Sequence, residues 1–182
     1  RAALALLPLP LNTLGCIGIT ALGTLQLLLP TAAQRADPEV TVRMRRHLKW
    51  IVAGTFLIAC GAAWHPSLAW IGLALLAIPL AGIFKSWLPL YFKDIFTLNG
   101  ATPALAAALC GYAVTMLLGT VHAYHYPYFK PVATFIIAFL MPLVTGTVSY
   151  LLPLWLHQGQ QTTWHHAARK HLGRGGGLRA MA

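Results

Sequence analysis

The loop between Arg35 and Lys49, RADPEVTVRMRRHLK, constrains this chain more than any other stretch. It holds five basic residues against two acidic ones, and apolar stretches long enough to cross a bilayer lie on both sides. Such a loop resists translocation and stays cytoplasmic, so it sets the direction of every span around it. Of the 182 residues, 58% are hydrophobic and 9% charged, whereas a soluble domain carries about 25% charged residues. That much apolar surface does not fit inside one soluble core. The sequence therefore predicts an all-α, polytopic transmembrane helix bundle. A formal charge of +10 raises nucleic acid as a partner. The basic residues gather at span ends rather than on one folded face, so the expected partner is the lipid bilayer and not nucleic acid.

Hydropathy and proline positions predict five spans, at about 11–30, 48–64, 67–84, 103–121 and 131–155. Together they form a transmembrane bundle over 1–155, with a basic cytoplasmic tail over 156–182. Pro8 and Pro10 keep the first ten residues out of the first span. Trp50 and Trp64 mark the two interfaces of the second span, and His65-Pro66-Ser67 is a tight turn. Pro79 predicts a kink in the third span, where it frees the Leu75 carbonyl. Residues 85–102 mix Lys85, Trp87, Pro89, Tyr91, Lys93 and Asp94, and they read as a membrane-surface segment. Asn99-Gly100 is a turn, with Thr102 as N-cap and Pro103 as the first helical residue of the fourth span. With the N-terminus outside and the C-terminus cytoplasmic, only Arg1 and Lys130 of the 13 lysines and arginines lie outside.

Small and polar residues define the predicted packing faces. Asn12, Cys16, Gly23 and Gln26 recur at helical spacing in the first span. They predict a stripe facing another helix, with the amides of Asn12 and Gln26 hydrogen-bonding across it. Gly111, Thr115 and Gly119 do the same for the fourth span, and Pro142, Gly146, Ser149 and Pro153 for the fifth. Cys16, Cys60 and Cys110 are too scattered for a zinc motif and read as small packing residues.

Three histidines are the candidate metal or haem ligands. His122 and His125 lie three apart in HAYHYPYFK at the outer end of the fourth span, where imidazoles can ligate haem iron or copper. The tyrosines of that loop suit an interfacial belt equally well. His65, also outside, joins the pair if the fold brings the two turns together. His157, His165, His166 and His171 in the tail match no specific metal spacing. Thr162 or Thr163 can cap a short interfacial helix from Trp164 to Leu172, and Gly173 to Gly177 read as a flexible linker. The only acids, Asp37, Glu39 and Asp94, lie in predicted loops, which disfavours an ion-coupled transporter, since such proteins keep an ionisable group at mid-membrane. No Ser-His-Asp set, HExxH or CxxC is present, and no catalytic residue is assigned.

LNTLGCIGITALGTLQLLLPTA (11–32) and LMPLVTGTVSYLLPLW (140–155) resemble the NnrS-like bacterial multi-span membrane proteins, which are associated with haem, copper and nitric-oxide metabolism. The shared features are a Gly-spaced first helix ending in Leu-Pro and a late helix of form small-x-x-Ser-Tyr-Leu-Leu-Pro. The resemblance implies a bacterial inner-membrane protein, with haem or copper as cofactor and further spans beyond this chain. It assigns no ligand. Arg1 opens almost directly into apolar sequence, without signal-peptide order, so a processed chain or a piece of a longer one is expected. Three functions follow as expectations: a subunit or fragment of a haem- or copper-associated respiratory or nitric-oxide-response protein, a non-catalytic accessory subunit packing within a larger membrane complex, and a transporter fragment.

Overall fold

The computed structural model describes residues 11–33, 35, 37–96, 101–124 and 131–156, with the backbone alone at 122–124, 131, 153, 154 and 156. Among these residues the chain is helical, with no strand. Helix α1 is Leu11–Ala33, opening in wide π-helical turns over Leu11–Gly18. Helix α2 is Val40–Ala63, α3 is Pro66–Phe96 and α4 is Thr102–Tyr124. Helix α5 covers 131–156 and passes through a second π-helical stretch at Phe135–Leu140. Four stretches are long and apolar enough to cross a membrane: Leu11–Ala33, Pro66–Phe96, Thr102–Val121 and Val132–Leu152.

Several predicted boundaries move. The second predicted span, 48–64, forms the apolar part of α2, which also includes much of the basic loop. Arg43, Arg45, Arg46 and Lys49 in its first turns lower its mean hydropathy beside the other four. The surface segment predicted from residue 85 is corrected: α3 runs unbroken from Pro66 to Phe96 through Pro79 and Pro89. Its burial period explains why. Leu80, Ile83, Trp87 and Tyr91 continue one inward face across Pro89, which is itself exposed. A proline removes one backbone hydrogen bond, and an inward face packed on both sides of it holds the helix together. The first span likewise continues past Pro30 to Ala33. Thr102 is the first residue of α4, and Ala101 accepts the first helical bond there, from the Leu105 N–H at 3.1 Å. The ten N-terminal residues, the Asn99-Gly100 turn and the tail from 157 lie outside the described residues.

Helices this apolar, where lipid surrounds them, hold together by close backbone approach and dispersion and not by water exclusion. Glycines provide that approach. A Cβ on Gly54 would stand 2.8 Å from the Gly72 carbonyl, and one on Gly72 would stand 2.6 Å from the Gly54 carbonyl. Gly61 abuts the backbone of Ala69. These contacts, with His47 against Gly82, set α2 and α3 as an antiparallel hairpin about the His65–Pro66 turn. Gly23 against Met44 and Gly15 against Thr55 set α1 antiparallel to α2. Gly111 against Ala138 and Gly146 against Leu105 do the same for α4 and α5. Tyr112 fills the centre, fully buried, with its ring 5.0 Å from that of Phe139 and in contact with Gly18.

Candidate functional site

The buried charged side chains among the described residues, Asp37 and Arg43, lie where α1 and α3 end and α2 begins. The sequence Asp37-Pro38-Glu39 opens α2. The Asp37 side chain accepts from the Glu39 N–H at 3.1 Å, and its carbonyl accepts from the Val40 N–H at 3.3 Å. An Asp followed by Pro suits a helix start, because it satisfies one orphan donor and removes another. The same carboxylate pairs with Arg43, one and a half turns along α2. Both side chains are buried, Arg43 at 8% and Asp37 at 3% exposure. A guanidinium taken out of water needs such a partner.

A second pair ties the α1–α2 connection to the end of α3. Arg35 Nε lies 3.5 Å from Asp94 Oδ2, and Arg35 Nη1 donates to the Leu90 carbonyl at 2.9 Å. The Tyr91 hydroxyl donates back to the Arg35 carbonyl at 3.3 Å. Trp87 packs edge-on to Tyr91, with ring centroids 6.4 Å apart. The residues that the sequence offered as a surface segment thus form the wall of this site.

Polar atoms remain unsatisfied nearby. Arg43 Nε, Trp87 Nε1, Gln26 Oε1 and His47 Nδ1 are buried without a hydrogen-bond partner. The His47 ring rests on Gly82 of α3. Burial, then Arg46, then Arg43 lower its pKa from the ordinary 6.5. The neutral ring is therefore the form that the fold favours. Above pH 6.5 this costs nothing, and as pH falls below 6.5 toward the lower folded value the unfolded chain gains the extra proton and stability declines. In detergent, the thermal midpoint should fall on acidification below pH 6.5, and His47→Gln should remove part of that slope. An identical slope in the variant would show that His47 is not responsible.

Chemically, the arrangement is a clamp. The Arg35 contacts and the Tyr91 hydroxyl join the α1–α2 connection to α3, the Asp37–Arg43 pair closes on the start of α2, and both carboxylates face an arginine. A further pair of buried hydroxyls, Tyr112 Oη and Thr55 Oγ1, face one another mid-bundle outside ordinary hydrogen-bond geometry.

The sequence-derived candidates are placed differently. His65 is exposed; its Nδ1 lies 2.6 Å from Ser67 Oγ and 3.4 Å from the Ser67 N, so the ring caps the start of α3. His122 falls in the last turn of α4, and its side chain and all of His125 lie outside the described residues. Among the described residues, no three of His, Cys, Asp and Glu gather as a metal site. The first-span stripe divides. Gln26 is 1% exposed, and Gly23 receives Met44, whereas Asn12 and Cys16 face outward. Thr115 is buried and donates to the Gly111 carbonyl at 2.8 Å. Gly111 and Gly146 sit in tight contacts, Ser149 is half-buried, and a Cβ on Gly119 would meet nothing within 4 Å. Gly54, Gly61 and Gly72 form the tightest α2–α3 contacts, and the seven-residue step from Gly54 to Gly61 is their signal in the sequence. Comparison with protein-family models, curated proteins and solved structures finds no match.

Proposed function

We propose that the chain is an integral membrane protein acting as a non-catalytic subunit, which packs against a further membrane segment through the outward face of α1. Support for membrane insertion comes from the outer surface. Leu27, Phe56, Ile71, Ile78, Val114, Leu117, Ile137, Val144 and Leu152 are all exposed, spread over every helix. A surface of that kind suits acyl chains and is costly in water.

The observation that carries the subunit reading is the α1 stripe. Asn12, Cys16, Thr20 and Thr24 follow one another at four-residue steps, and all four are exposed. The two threonines donate to the carbonyls of Cys16 and Thr20, at 2.7 and 2.9 Å, and so need no lipid-side partner. The Asn12 amide is the polar group left to find one, and small neighbours allow close approach. The partner is another subunit or a further part of the same protein, in a membrane whose basic-loop side is cytoplasmic.

A photo-crosslinker at position 16 in native membranes tests this. It should give one protein adduct of discrete mass, and the same probe at the outward Val144 should give lipid adducts only. Lipid adducts at both positions would remove the subunit reading. An absorption spectrum of the purified protein separates it from the haem or copper function. A Soret band or a stoichiometric copper signal, lost on replacing His122 or His125, would put that function in its place.

A further inference from the structure

We infer that the outward face of α2 is a binding site for an anionic phospholipid, with the headgroup phosphate on Arg45, Arg46 and Lys49 and an acyl chain along Val52 and Phe56. The inference rests on the membrane reading and goes beyond it by naming one ligand class and its contacts. Residues 42, 45, 46, 49, 52, 53 and 56 follow helical i, i+3, i+4, i+7 spacing, so they share one face. All seven are exposed. The opposite face of the helix is spent on the fold, through Arg43, His47, Gly54, Ile58 and Gly61.

The face changes character along its length. Its first part carries Val42, Arg45, Arg46 and Lys49, and its next two turns carry Val52, Ala53 and Phe56 with no polar atom. Arg45 and Phe56 are eleven residues apart, about 16 Å along the axis. Charge followed by apolar surface on that scale matches a headgroup followed by the upper part of an acyl chain. A free phosphate uses only the first part.

The charge accounting is specific to this fold. The chain has three acids. Asp37 is paired with Arg43, and Asp94 lies against Arg35. Glu39, the third, is two turns before Arg46 on α2, beyond ion-pair reach. Among the described residues no carboxylate meets Arg45, Arg46 or Lys49, and the Lys49 ammonium stands 5.6 Å over the Trp50 ring. A lipid phosphate answers three adjacent cations as a carboxylate would, and each adds about fivefold in affinity.

The test titrates the full chain, purified in neutral detergent, with phosphatidylglycerol and with phosphatidylcholine, counting bound lipid by native mass spectrometry. The wild type should prefer phosphatidylglycerol by roughly 100-fold. The triple variant R45Q/R46Q/K49Q should lose that preference, and R45K/R46K should keep most of it. Equal preference in the triple glutamine variant would overturn the site. So would displacement of phosphatidylglycerol by an equal concentration of glycerol 3-phosphate, which would mean a free-anion site. Should the triple variant not fold, the wild type decides: its preference should collapse between about 50 and about 500 mM salt, and persistence would overturn the proposal. Retention in carbonate-washed membranes tests membrane insertion separately, so a chain that stays in the membrane but shows no lipid preference refutes the site alone.

Discussion

Gly111→Ala should unfold or severely loosen the α4–α5 pair, with a loss of about 3 kcal/mol or more and a fall of about 6–12 °C in thermal midpoint. A methyl group at 111 would occupy the space of the Ala138 carbonyl, with the Ala138 carbonyl carbon and the Phe139 nitrogen behind it. These are backbone atoms, so no rotamer change makes room. Ala138 also lies in the π-helical stretch Phe135–Leu140. Gly119→Ala, two turns away on the same predicted stripe, is the contrast. Nothing lies within 4 Å of its Cβ position, so alanine should be neutral or stabilise by up to about 1 kcal/mol through helix propensity. Scanning fluorimetry of both variants in one detergent checks the pair. Equal shifts would mean that the α4–α5 contact is looser than described.

Arg43→Ala and Asp37→Ala should each destabilise by about 3–5 kcal/mol, because each leaves an uncompensated buried charge. The double variant should cost much less than the two single changes added together, with a coupling of about 2 kcal/mol or more. Arg43→Met with Asp37→Leu should come close to wild type, as replaced buried ion pairs often do. Additive single effects would show two independent surface residues instead of one buried pair. Arg45→Ala, exposed on the opposite face, should stay within about 0.5 kcal/mol.

The sequence made the helices legible, and the burial of polar groups much less so. Long apolar runs with small-residue spacing led to the bundle and to Gly111 and Gly146, because lipid-embedded helices need close approach somewhere. Charge at a span end marks both solvated loops and helix starts, and composition does not separate the two. Arg35 to Lys49 reads as a solvated loop by composition, yet Asp37-Pro38 was a visible helix start, and it turns Arg43 toward the core. Pro89 likewise suggested a break. The i, i+4 pair Trp87 and Tyr91, with Ile83 and Leu80 before it, carries the buried inward face through Pro89. Asn12 and Gln26 share a spacing but not an environment. Gln26 is buried and Asn12 exposed, a difference that no local pattern in α1 reveals.

Helix α3 has 31 residues, about 46 Å along its axis, while the hydrocarbon layer of a bilayer is about 30 Å thick. Inserted as proposed, the helix would have to tilt or stand out of the layer by about ten residues, and its last turns carry Tyr91 and Asp94. A tilt change of about 10° moves that end by about 8 Å. Since Arg35 fastens the α1–α2 connection to that end, a shift of it in a bilayer would be felt first at the start of α2.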